Sequence, residues 1–140
     1  MNTIAITSIP LQPWEQPLDA DKGLRQGTIF PSLYKPFYIV EQMSLPEAMP
    51  TSKWESQLCI IQEISFAISD LLLYLDTHPE EQEALNKLNE YRLQRKDLLC
   101  QFAANYFPLT QDCEGLWSDG PVPWDNPQAS DSHTLRKGGL

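Results

Sequence analysis

The sequence predicts an all-α fold: an antiparallel two-helix hairpin flanked by extended arms that contain proline and tryptophan. Three observations carry this. The run Leu71 to Leu85 reads as the end of one amphipathic helix, a short turn and the start of a second. Apolar residues between 54 and 75 recur at alternating spacings of four and three. Seven of the twelve prolines lie in residues 1–50, none between 51 and 78, and four from Pro108 onward. Proline removes a helical N–H, so the proline-poor middle is where long helices can run.

Residues 1–51 read as an extended segment. Pro10, Pro13 and Pro17 surround Trp14, and Gly23, Gly27, Pro31 and Pro36 interrupt any period. The apolar residues form short clusters, which suit laying aromatics onto a partner better than folding alone.

Residues 52–106 read as the hairpin. Ser52-x-x-Glu55 is a capping box at the start of the first helix. Trp54, Leu58, Ile61, Ser65, Ile68, Leu72 and Leu75 form a heptad seam. Ile60, Ile64, Ala67, Leu71 and Tyr74 widen that face beyond what one partner helix covers. The turn is set by Asp76, Thr77, His78, Pro79 and Glu80. Proline at the first helical position pushes His78 out of the α region, and Thr77-x-x-Glu80 matches a second capping box, so the second helix is expected from Pro79. That helix runs to about Tyr106 with Ala84, Leu85, Leu88, Tyr91, Leu98, Leu99, Phe102 and Tyr106 on one side. Arg95 interrupts the stripe. Its stem packs while its head reaches water, or it pairs with Glu55 or Glu63 across the hairpin.

Net charge is −9, divided as −2 over residues 1–51, −4 over 52–106 and −3 over 107–140. Such a spread argues against nucleic acid and anionic membranes, both of which need Lys/Arg clusters. No stretch reads as reaching the roughly 18 apolar residues of a membrane span, and no signal peptide opens the chain, so cytoplasmic synthesis is the expectation.

Little in the residues points to catalysis. His78 sits in the turn and His133 in a polar tail, neither near a nucleophile in sequence, and no Gly-rich phosphate loop occurs. His78-x-x-Glu81 with Asp76 can be drawn as a metal site, but helix capping explains these residues better. No cofactor, metal or catalytic residue is assigned. Cys113 lies between Asp112 and Glu114, whose charge disfavours a thiolate. Cys59 and Cys100 are offset by about 7 Å along the hairpin axis, too far for an easy disulfide. Oxidative cross-linking through cysteines or tyrosines stays open. Trp14, Trp117 and Trp124 have two readings, packing back on the hairpin or anchoring the arms to another protein.

The run Leu71 to Leu85, with Ile61 to Ala67 upstream, resembles the spore coat protein CotJB family over about residues 52–125. Trp14-Glu15, Leu18 and the run Leu24 to Phe37, with Gly27-Thr28-Ile29-Phe30-Pro31 at its centre, resemble the CotJA family over about residues 9–40. Ser32 stands where that family has Glu. Phe107 stands where CotJB relatives have a helix-ending Gly, and Val122 where they often have Trp in the proline–tryptophan ending of 107–125. Residues 126–140 match neither pattern and read as disordered.

The resemblance implies a structural and assembly protein of the bacterial endospore coat, made in the mother cell and deposited on the forespore. It also implies a partner, the CotJC protein, which resembles manganese catalases. The residues expected to meet that enzyme, other coat proteins or a second copy are Trp14, Phe30, Tyr34, Phe37, Ile61, Ile64, Ile68, Leu72, Trp117 and Trp124. The rival reading is a cytosolic adaptor or maturation factor for the enzyme that never enters the coat.

Overall fold

The computed structural model describes residues 10–36, 50, 52–116, 118 and 120. The described residues form three helices and one 3₁₀ turn: α1 (Ala20–Gln26), the turn Pro31–Leu33, α2 (Lys53–Thr77) and α3 (Gln82–Asn105). No strand occurs among the described residues, so the all-α expectation holds. Both α3 and α1 pack on α2, which is the central element.

α2 begins as the sequence indicates. Ser52 Oγ accepts the Glu55 N–H at 3.3 Å, and the Glu55 carboxylate accepts the Ser52 N–H at 3.1 Å. This reciprocal pair satisfies two amide donors that the helix itself cannot bond. The buried row of α2 is Ile61, Ile64, Ala67, Leu71, Tyr74 and Leu75. It is displaced from the predicted seam toward the flanking positions. The reason is a second cover: Ile29 and Phe30 from the N-terminal segment pack on the side that α3 leaves open.

The turn differs from expectation. His78 ends α2 with its N–H bonded to Tyr74 O, Pro79 and Glu80 form a turn, and α3 starts only at Gln82. Its cap is Glu81 rather than Thr77 or His78, with the Glu81 carboxylate accepting from Glu83 N–H at 3.4 Å. Thr77 instead donates its hydroxyl back to Tyr74 O at 3.1 Å. α3 presents Ala84, Leu88, Tyr91, Leu99 and Phe102 to the core, all members of the predicted stripe. Arg95 Nε donates to Ser65 Oγ at 2.9 Å across the hairpin, and Ser65 itself donates to Ile61 O.

The N-terminal segment is more ordered than an extended arm. Gly27 adopts φ 83°, and its N–H closes α1 onto Gly23 O at 2.9 Å, a left-handed terminator that glycine supplies without Cβ strain. Gly23 lies so close to Ile29 that a Cβ there would sit 2.5 Å from Ile29 Cγ2. The two glycines that break periodicity are therefore what lets this segment fold back on itself.

α3 leaves without a glycine. Tyr106 ends it at φ −135°, and Phe107 turns its ring onto Phe102 (5.2 Å between centroids) and Trp54 (6.5 Å). The following residues return along the hairpin, with Leu109 and Cys113 packed on the Ile61–Leu99–Phe102 cluster. A large apolar ring thus takes the place of the helix-ending glycine, and its packing on Phe102 and Trp54 directs the exit.

The expectation that no stretch is apolar enough to cross a membrane is corrected by α2. It is 25 residues long with a mean hydropathy of 1.7 over an 18-residue window. Of that window 33% is buried against the described chain.

Candidate functional site

The junction between the N-terminal segment and the hairpin is the most elaborated contact among the described residues. Asp70, on α2, accepts the Ile29 N–H at 2.8 Å and the Thr28 hydroxyl at 2.9 Å through one carboxylate oxygen. Thr28 Oγ1 accepts in turn from Phe30 N–H at 3.1 Å. The three polar groups are satisfied together, so Ile29 and Phe30 can be buried completely beside them. On the far side, Leu18 N–H bonds to Ile29 O at 2.7 Å, and Glu15 accepts both the Ser32 N–H (3.0 Å) and the Ser32 hydroxyl (2.6 Å). Ser32, the departure from the CotJA pattern, is thus held by a carboxylate at the N-terminal end of the 3₁₀ turn.

An aromatic group closes the junction. Trp14 stands edge-on to Phe30 at 6.1 Å and leans on Tyr74 at 5.4 Å, while its indole N–H donates to Glu83 on α3 at 2.6 Å. His78 stacks on the Tyr74 ring at 4.3 Å. Of the two readings of Trp14, the structure has the intrachain one: it ties the segment to both long helices. Burial raises the Tyr74 phenol above its ordinary range, with the Glu81 carboxylate adding to the effect. Desolvation likewise raises Glu63, helped by nearby Asp21 and opposed by Arg25.

The residues proposed for partner contact divide into three sets. Phe30, Ile61 and Ile64 are buried inside the chain, and their apolar surface is already covered. Trp14 and Ile68 are half-buried, while Tyr34 and Leu72 are exposed, at 44% and 39%. Phe37, Trp117 and Trp124 lie outside the described residues. Sequence reasoning placed Ile60 on the widened face of α2 but not among the contact residues, and passed over the open apolar side chains Leu24, Leu33, Leu73 and Leu93. Ile60 is instructive: it precedes Ile64 by four and Ala67 by seven on one helix face, yet stays 44% exposed, because those two belong to the cluster capped by Ile29 and Phe30 and Ile60 does not. Of the turn residues, Asp76, Thr77, Pro79 and Glu80 are exposed and act locally. Among the described residues, no group of three or more His, Cys, Asp or Glu side chains is placed to hold a metal ion.

A family model described as CotJB protein matches residues 55–125, and one described as spore coat associated protein JA (CotJA) matches residues 3–37. No curated protein and no solved structure matches the chain. The CotJB match takes in α2, α3 and the returning segment, and the CotJA match takes in the segment that Asp70 and Trp14 fasten to them. The chain therefore belongs to the CotJB family, and carries a CotJA-type segment joined ahead of the hairpin.

Proposed function

We propose that this protein is a structural and assembly component of the bacterial endospore coat, made in the mother cell, that recruits an enzyme resembling manganese catalases. The observation that carries the coat assignment is the match of two families on one chain, one of them described as spore coat associated. The recruiting role rests on the family resemblance and on the exposed apolar side chains Leu24, Leu33, Tyr34, Leu72 and Leu73. Apolar groups of this size left in water favour burial against another protein surface. Phe37, Trp117 and Trp124 remain proposed anchors, since tryptophan in a desolvated pocket dominates many interfaces.

The test is to tag the chain, sporulate the host and probe washed coat extract by immunoblot, looking for a co-purifying catalase-like protein. Retention of both supports the recruiting role. If the tagged chain is absent from mature spores and its complex occurs only in mother-cell lysate, the protein is a transient adaptor and the proposal fails.

A further inference from the structure

Cys100 and Cys113 are thirteen residues apart in sequence, yet their sulfurs lie 3.5 Å from each other. Nothing local brings them together. Cys100 is on the last turns of α3, and Cys113 returns to it only because Phe107 and Leu109 are drawn onto the hairpin core. The two thiols differ in access. Cys100 is exposed at the rim of an open surface hollow that it shares with Leu93, Gln94, Lys96 and Asp97. Cys113 is half-buried, with Thr110 Oγ1 3.9 Å from its sulfur.

We propose that Cys100 and Cys113 form a peroxide-oxidisable dithiol, with Cys100 as the attacking thiol and Cys113 as the resolving one, whose disulfide fastens the segment after α3 to the hairpin. The Cys100 thiolate attacks one oxygen of hydrogen peroxide and the O–O bond breaks. Cys100 becomes a sulfenic acid, and the hydroxide released leaves as water with the thiol proton. Cys113 Sγ then attacks Cys100 Sγ, the S–O bond breaks and a second water leaves. In total two thiols are oxidised to one disulfide and one peroxide is reduced to two waters. Sulfurs at 3.5 Å need only side-chain rotation and a small backbone adjustment to reach the roughly 2.05 Å of the bond. In the reduced protein the hydrogen bond with Cys113 raises the Cys100 thiol, followed by desolvation, so reaction is slow at neutral pH and rises with pH. This proposal stands apart from the coat assignment.

The experiment uses the full chain. Reduced protein is exposed to graded hydrogen peroxide, alkylated and digested with trypsin. Cys100 and Cys113 share the peptide Asp97–Arg136, whereas Cys59 falls in Trp54–Lys87. The expected result is monomeric protein in which Asp97–Arg136 loses the mass of two hydrogen atoms and escapes alkylation, while Cys59 is alkylated. The oxidised monomer should melt at least about 5 °C higher, because the bond closes a short loop in the unfolded chain. A Cys113→Ser variant should accumulate sulfenic acid at Cys100, trapped by dimedone. If Cys113→Ser disturbs folding, a Cys59→Ser variant keeps the test intact, since only the proposed pair then remains. Covalent dimers as the main product, a bond to Cys59, or two unlinked thiols oxidised to sulfinic acid would each overturn the proposal.

Discussion

Asp70 accepts the Ile29 backbone N–H at 2.8 Å, across 41 residues of chain. The same carboxylate oxygen takes the Thr28 hydroxyl. A charged acceptor serving two donors beside a buried aromatic group is a strong point of attachment, and its removal strands both donors.

Asp70→Ala should therefore destabilise the fold by about 2–3 kcal/mol. It should also release the N-terminal segment first, exposing Lys22 and Arg25 to trypsin. Limited proteolysis alongside thermal melting checks this. Cleavage at those sites no faster than in the unsubstituted protein would mean that Asp70 does not hold the segment.

Gly23→Ala has a sign that helix propensity gets wrong. Alanine in place of glycine inside a helix ordinarily gains about 1 kcal/mol. Here the added Cβ would meet Ile29 Cγ2 at 2.5 Å and Ile29 Cα at 3.3 Å. The side-chain contact can be relieved only by moving a fully buried residue. The expected outcome is a net loss of about 1–3 kcal/mol, read as a lower melting temperature.

Tyr74 offers the opposite case. Its ring packs against Trp14, Phe30 and His78, but its buried hydroxyl has no hydrogen-bond partner among the described residues. A buried donor without a partner costs about 1–3 kcal/mol. Tyr74→Phe keeps the ring and should be neutral or stabilising by up to about 1 kcal/mol. A clear loss of stability would reveal a partner for the hydroxyl.

Glu63 gives the pH dependence. Desolvation first, then Asp21, raises its carboxyl above the unfolded value, so ionised Glu63 weakens the folded state. The penalty is full above the raised folded value and shrinks as pH falls through it. It vanishes below the ordinary unfolded value near 4.3, where both states are neutral. Glu63→Gln should therefore raise the melting temperature slightly at neutral pH, by no more than about 0.5 kcal/mol equivalent for so open a site. Its advantage should disappear in melts near pH 4.

The hairpin could be read directly because its determinants are local. Ser52 and Glu55 are three residues apart, and the α3 stripe repeats every three or four residues, so short windows contain the whole signal. The N-terminal fold could not be read this way. Its stabilising partner, Asp70, is 41 residues from Ile29, and Gly23 and Gly27 look like breakers unless the residue they make room for is known. The same missing cover shifted the expected buried row of α2 by part of a turn. At the turn, Pro79 satisfied the usual helix-start pattern, but Glu81 supplied the cap, so α3 began three residues later. The Cys100–Cys113 pair depends on a chain reversal after Tyr106, where the sequence has an aromatic ring instead of the glycine that announces such exits.

The clasp between the N-terminal segment and α2 also changes the kind of equilibrium involved. Fifteen residues, 37–51, connect the segment to the hairpin, so docking is intramolecular. Tethered ends meet at an effective concentration in the millimolar range, set by the connection and not by expression level. The same contacts between two separate chains would dissociate on dilution. On one chain they persist however few copies are made, and every copy carries both segments in equal number.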